Sequence, residues 1–256
     1  KNMEVHHHPD LHHKKENFKE YFLEFLMIFL AVLLGFMADN LHERFTNREI
    51  EKNNIESLVN NLKGDSSQLT DLIQFNETRI KGIDSLLMLK NMNAGDSTIK
   101  KKQSYYGFVY VAYFQYFISN DAAIEQMKSS GSLRLIKKQN IADSILKYEY
   151  INKIIKLNES VLEFEYDKTL ETAAKLNDLS AYAISTGTQF VPPHLASLST
   201  PILGNLNGND TVLTKEYFNY AAEQALSLKY YVVILQKQRD YAGSLIAFLQ
   251  KQYNLQ

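Results

Sequence analysis

The chain has 256 residues, 45% hydrophobic and 22% charged, and its 28 basic and 29 acidic residues leave a formal charge of -1. That balance argues against a nucleic-acid partner, which selects a basic excess, while the charged and apolar fractions exclude a multi-span membrane protein and a disordered chain respectively. With no cysteine there is no disulfide, thiol nucleophile or Cys-ligated zinc, and ten Gly and four Pro are too few for the frequent turns of a β-sandwich or barrel.

Residues 1–20 are a His- and Lys-rich tail. His6, His7, His8, His12 and His13, with Asp10, are dense enough to bind a transition metal. His8 and His12 stand four apart, but Pro9 lies between them and spoils a helical ligand pair. A solvated basic tail is the simpler reading, and no metal or cofactor is assigned.

From Tyr21 to Ala38 the chain reads YFLEFLMIFLAVLLGFMA, and Glu24 is its one charged residue. At ~1.5 Å per residue a helix over 21–38 reaches roughly 27 Å, close to the hydrocarbon thickness of a bilayer. A buried core helix is disfavoured because the run is apolar on every face. A cleaved signal peptide is disfavoured because the flank lacks a good small-x-small site and the preceding tail is long. A single transmembrane helix remains. Lys14, Lys15 and Lys19 before it balance Arg44, Arg48 and Lys52 after it, and Lys1, His12 and His13 tip the count towards a cytoplasmic amino terminus. Residues 1–20 are therefore expected in the cytoplasm and residues 39–256 outside the inner membrane.

Ala31, Gly35 and Ala38 are small and spaced by four and three, so they share a helix face on which another helix can approach closely. Glu24 lies near the same stripe. An ionisable residue in a span calls for a partner, such as Lys19 or a residue of a neighbouring subunit.

Beyond the span the pattern is helical. Leu41, Phe45, Ile55, Leu58, Val59 and Leu62 mark one face, and Gly64-Asp65 reads as a break. A second helix is expected from about Ser67 to Met92, forming an antiparallel hairpin with the first. Residues 93–103 read as a polar connector. An aromatic block follows, including Tyr110, Tyr113, Phe114 and Phe117, for which periodicity does not separate helix from strand. Core packing is the plain reading of these rings; a ligand or partner surface is the sharper one. Ser119 or Asn120 is placed to cap a short helix through Met127, and Gly131 suits a left-handed terminus. Asn140 opens a long helix over 140–177. Residues 178–213, with Pro192-Pro193, Pro201 and three glycines, read as a long loop of the kind that often binds. Thr214 is placed to cap a last helix over 215–253. The fold expected is all-α: one transmembrane helix followed by an elongated antiparallel, four-helix-like bundle.

Gln126 to Ile136, QMKSSGSLRLI, together with FLEFLMIFLAVLLGFMADN and the charged NREIEKN that follows, resembles a family of uncharacterised single-span proteins of Bacteroidetes-type bacteria. The likeness covers roughly the first 160 residues. It implies an inner-membrane anchor and a periplasmic helical domain; it implies no activity and transfers no catalytic residue.

Catalytic signals are sparse. His42 and His194 are the histidines beyond the tail, and neither has a second ligand at metal spacing. There is no G-x-S-x-G, phosphate-binding glycine loop or HExxH. A triad assembled in space around His194 stays open, and charged pairs such as Glu163/Glu165 read as a solvated helix face. Asn76-Glu77-Thr78 and Asn158-Glu159-Ser160 match glycosylation sequons but fall on expected helices. Asp84-Ser85-Leu86 and Asp210-Thr211-Val212 match a Bacteroidetes-type O-glycosylation triplet, the second falling in the expected loop. The function expected is a non-catalytic structural or interaction subunit, in contact with lipid and with a protein partner or further copies of itself. The alternative is a periplasmic sensory or ligand-binding bundle signalling through a partner.

Overall fold

The computed structural model describes residues 16–92, 96–111, 113–176 and 210–255. Most of the 1–20 tail, with its histidines, and nearly all of the 178–213 segment, with His194, lie outside the described residues. Five α-helices are described: α1 (Glu16–Met88), α2 (Ser97–Tyr106), α3 (Ala122–Ser129), α4 (Gln139–Leu176) and α5 (Thr211–Tyr253). Among the described residues no strand occurs, so the expected all-α class holds. By compactness the chain divides into Lys1–Asn53 and Asn54–Gln256.

In the first unit the described residues are a single stretch of α1. Every side chain from 18 to 53 is exposed or half-buried, including Phe22, Phe25, Phe29, Leu33 and Phe36. Among the described residues one helix is thus long and apolar enough to cross a membrane, and none of its most apolar window is covered by protein. A soluble core helix of that composition would hide one side against its own chain.

The second unit corrects the expected hairpin. α1 continues without interruption through Gly64 and Asp65. A lone glycine costs a helix only about 1 kcal/mol, and the packing on either side outweighs it. The buried seam of α1 runs through Ile55, Leu58, Leu62, Asp65, Leu69, Leu72, Asn76, Arg79, Ile83 and Leu86, with Val59 and Ile73 buried beside it. The gaps along the seam alternate three and four throughout, the 3.5-residue period of helices that wrap around one another. α4 repeats it with Ile141, Ile145, Tyr148, Asn152, Ile155, Glu159 and Leu162, and α5 with Ala221, Gln224, Leu228, Tyr231, Leu235, Gln238, Ala242, Leu245 and Leu249.

Cross-helix bonds set the directions. Asn152 accepts from Gln238 at 2.5 Å, Glu159 from Tyr231 at 2.5 Å and Glu165 from Ser227 at 2.7 Å, so α5 runs antiparallel to α4. Asp84 meets Lys229 and Glu77 meets Gln236, so α5 is antiparallel to α1 as well. α1 and α4 are therefore parallel, and the chain between them must travel back along the bundle.

That return limb takes the place expected of a second long helix. It starts with α2, capped by Asp96, which accepts from the Thr98 N–H at 2.7 Å, inside the supposed polar connector. The helix widens into a π-helical turn over Gly107–Val111. Residues 113–121 have no regular structure. α3 and a 3₁₀ turn at Ser132–Leu135 complete it, with Gly131 left-handed at φ 69° as expected. Three long helices and one broken limb thus alternate in direction.

Helix starts also differ slightly. Asp210, not Thr214, caps α5, accepting from the Leu213 N–H at 2.8 Å. Asp210-Thr211-Val212 is consequently the first turn of a helix rather than part of a loop. Asp121, rather than Ser119 or Asn120, stands at the N-cap of α3, and the Asn120 N–H donates to Asp65 Oδ1.

Replacing Gly64, whose Cβ would meet nothing within 4 Å, by Ala should raise stability by up to about 1 kcal/mol in urea denaturation if α1 is continuous. A loss on Gly64→Ala would mean that α1 breaks there. Gly82→Ala should be destabilising, since a Cβ at Gly82 overlaps the Tyr110 ring.

Candidate functional site

The core is apolar in two clusters, one around Ile55, Leu62, Ile145 and Leu249 and one around Leu69, Leu86, Ile155 and Leu228. Polar side chains interrupt it at regular heights. The extended part of the return limb explains two of them. Its backbone N–H groups have no helical partner, and a buried donor must find an acceptor. The Phe117 N–H donates to Glu159 Oε1 at 2.7 Å, the Ile118 N–H to Gln68 at 3.2 Å and the Asn120 N–H to Asp65 Oδ1 at 2.7 Å.

Each of these carboxylates also takes a tyrosine. Tyr148 of α4 donates to Asp65 Oδ2 at 2.7 Å, and Tyr231 of α5 to Glu159 Oε1. Asp65 and Glu159 are therefore three-way clasps, each joining a long helix to the return limb and to a tyrosine of a further helix. Burial pushes both carboxyls above the ordinary range; for Asp65, Asp121 adds to the rise, and the donated hydrogen bonds only partly offset it. Tyr148 and Tyr231 are pushed up too, chiefly by burial and then by the carboxylate each one faces.

Arg79 is the most unusual residue of the core. Its guanidinium is buried, and among the described residues no carboxylate stands against it. Nε donates to the Tyr110 carbonyl at 3.0 Å and Nη1 to Asn76 Oδ1 at 3.3 Å, and among the described residues Nη2 has no hydrogen-bond partner. The guanidinium carbon stands 5.7 Å from the Phe75 ring centroid and 5.9 Å from that of Phe114. Tyr110 lies at the end of the helical run through Val111, so Arg79 meets the negative end of that run and two π-faces. Burial lowers its pKa to about 9, which leaves it charged at neutral pH.

The aromatic residues singled out in the sequence gather round this arginine. Tyr110 supplies the carbonyl, lies against Gly82 and stacks on Tyr106 at 5.8 Å between centroids. Tyr113 meets Phe75 edge-on at 5.8 Å, and Phe114 meets Tyr116 edge-on at 4.7 Å. Phe117 is buried in the core. The four rings are thus packing elements first, and the half-buried ones fence Arg79.

The other expected residues fall elsewhere. Glu24, Ala31, Gly35 and Ala38 share the exposed face of α1 that their spacing requires, and a Cβ on Gly35 would meet nothing. Glu165 is not on a solvated face: it is buried and accepts from Ser227, and burial raises its pKa. Asn76 is a core residue, donating to the Leu72 carbonyl at 2.8 Å, so the first sequon is not displayed for modification; half-buried Asn158 donates to the Ile154 carbonyl and lies on α4 as expected. Among the described residues there is no group of three or more His, Asp or Glu that could hold a metal.

Sequence reasoning missed Asp65, Arg79 and Glu159. The signal was present, since each occupies a position where the three-four alternation demands an apolar residue. Comparison of the chain with protein-family models, with curated proteins and with solved structures gives no match.

A carboxyl whose folded pKa is raised contributes stability that is present below its ordinary value, 4.5 for Glu159, and lost as the pH climbs through the folded value. Glu159→Gln should remove that part of the fall, leaving a flatter stability-pH curve above pH 4.5 and stability at pH 7 equal to or above the parent. Glu159→Ala should cost on the order of 1–3 kcal/mol, because the Phe117 N–H and Tyr231 hydroxyl lose their acceptor. Urea denaturation across the pH range separates these outcomes, and a Gln variant as steep as the parent would dismiss Glu159 as the titrating group.

Proposed function

We propose that the chain is a membrane-anchored, non-catalytic interaction subunit. It would be tethered through residues 21–38 in a bacterial inner membrane, with a cytoplasmic amino terminus and the helical bundle in the periplasm. The observation that carries this reading is the apolar stretch of α1, which leaves Phe22, Leu23, Phe25, Phe29, Leu33, Leu34 and Phe36 uncovered by the chain. Left in water, such a surface is far larger than a soluble monomer keeps open, whereas lipid covers it at no cost.

The bundle supports an interaction role over chemistry. Two of its buried carboxylates, Asp65 and Glu159, are engaged in holding backbone N–H groups and tyrosines. An active-site base needs a free lone pair aimed at substrate. The face of Ala31, Gly35 and Ala38 would allow close packing of a second span, with Glu24 near it.

A second reading, a ligand-binding or sensory bundle, is supported by Arg79. A buried guanidinium with one unpartnered nitrogen among aromatic rings is a receptor for an anionic group if the limb around Tyr110 admits one. Under that reading a small carboxylate raises the melting temperature of the detergent-solubilised chain, and Arg79→Met abolishes the rise. A screen of carboxylates that leaves the parent unmoved removes the reading.

For the anchored reading, membranes holding the full-length chain are washed with alkaline carbonate. The chain should stay in the pellet, and replacing Leu30 and Leu33 by Lys should release a large fraction of it. Recovery of the unaltered chain in the supernatant would overturn the anchor.

A further inference from the structure

α4 and α5 each carry a second apolar line, on the side turned away from the core. On α4 it is Leu157, Val161 and Phe164, exposed by 68%, 54% and 64%; on α5 it is Leu226, Tyr230 and Val233, exposed by 69%, 61% and 43%. Both lines step by four and three, so each keeps to one side of its helix.

Their heights match. The Glu159–Tyr231 and Glu165–Ser227 bonds fix the antiparallel register of the two helices. In that register Leu226 stands level with Phe164, Tyr230 with Val161 and Val233 with Leu157. Two neighbouring helices therefore show three apolar tiers at the same three levels, in a stretch whose opposite side is core.

We propose that this α4–α5 face is where a second copy of this chain docks, by a two-fold axis running along the helices. Such a rotation keeps every residue at its own height and sets α4 of one copy antiparallel beside α5 of the other. Phe164 of one copy then meets Leu226 of the other, Val161 meets Tyr230 and Leu157 meets Val233, and every contact occurs twice, as an isologous interface requires. The result is a four-helix seam from two antiparallel pairs. An unrelated partner has no need for equal tiers on both helices; a two-fold contact of this kind requires them.

Charge and area favour the same occupant. Lys168 on α4 and Glu223 on α5 stand level just beyond the tiers, so the rotation brings the lysine of one copy to the glutamate of the other. Lys153 and Lys237 are level at the opposite border, and their like charges limit the dry patch there. An aromatic side chain carries ~150–250 Å² and Leu or Val somewhat less, so two rings and four aliphatic side chains at these exposures offer on the order of 600 Å² per copy before flanking stems are added, near the ~800 Å² per partner of a stable interface.

This inference rests on the interaction-subunit reading and names the partner and the face. The chain has no cysteine, so introduced thiols report without background. Two differently tagged full-length copies are co-expressed, one carrying Val161→Cys and the other Tyr230→Cys, and the membranes are oxidised. A reducible mixed dimer is expected, in clear excess over a control pair with Thr70→Cys and Thr78→Cys, which lie on exposed turns of α1. In parallel, Val161→Glu should weaken the dimer ~10-fold or more in native mass spectrometry of the detergent-extracted chain, with helical circular dichroism and melting temperature unchanged.

Equal cross-linking at the control sites, or none at 161 and 230, overturns the proposed face. A dimer that survives Val161→Glu without the mixed cross-link keeps the interaction reading and moves its contact elsewhere, the span included. A chain that is monomeric throughout and copurifies with no protein defeats both.

Discussion

The structure depends on how one stretch of backbone crosses a helical core without being helical. Residues 113–121 carry N–H groups that no neighbouring turn can accept, in a setting where leaving one unpaired costs about 1–3 kcal/mol. The bundle answers with carboxylates. Asp65 on α1 and Glu159 on α4 each accept a limb N–H and a tyrosine hydroxyl, while Gln68 takes the N–H between them. Remove these acceptors and the limb has no reason to lie where it does. Without the limb, α1 and α4 could not run parallel, because a chain leaving one end of α1 has to come back before α4 begins.

The same residues set register. A seam of leucine and isoleucine tolerates sliding by one heptad at little cost, since one apolar layer resembles the next. Asp65, Asn76 and Arg79 on α1, Asn152 and Glu159 on α4, and Gln224 and Gln238 on α5 make the layers distinct. Slide α5 by a heptad and Tyr231 loses Glu159 while Gln238 loses Asn152. Breaking a buried pair by removing one partner is far more costly than the pair is worth against an apolar replacement. The polar layers are therefore a means of choosing one packing among several rather than of adding stability.

Much of this was legible in the sequence, and what was not has local reasons. α4 begins one residue from its expected start and ends one short of its expected end, and Gly131 is left-handed as its setting suggested, because long amphipathic periods and glycine stereochemistry act over a few turns. Gly64-Asp65 misled for the same reason. Read locally the pair stops a helix, yet Asp65 sits in the seam with its carboxylate engaged and Gly64 faces open space, so tertiary packing overrides the weak local preference. The return limb was the real blind spot. Aromatic residues at 105–117 suit helix, π-turn and extended chain equally, and nothing nearby in sequence reveals that Glu159, 42 residues on, serves Phe117. A reading confined to apolar stripes also passes over polar residues that keep the stripe's period, which is how Asp65, Arg79 and Glu159 escaped notice.

Arg79 shows where these pressures meet. A lone guanidinium in a core is tolerable only where something negative surrounds it. Here that role falls to the carbonyl of Tyr110 at the end of a helical run, the Asn76 amide oxygen and the faces of Phe75 and Phe114. These are partial charges, weaker than a carboxylate, and they come from both α1 and the return limb. The arginine thus holds the upper half of the limb as Asp65 and Glu159 hold the lower half, with the opposite sign. At its π-helical end the limb offers carbonyls and is met by a cation; along its extended part it offers N–H groups and is met by carboxyl and amide oxygens. The charge chosen for each clasp follows from which backbone group the limb leaves unpaired.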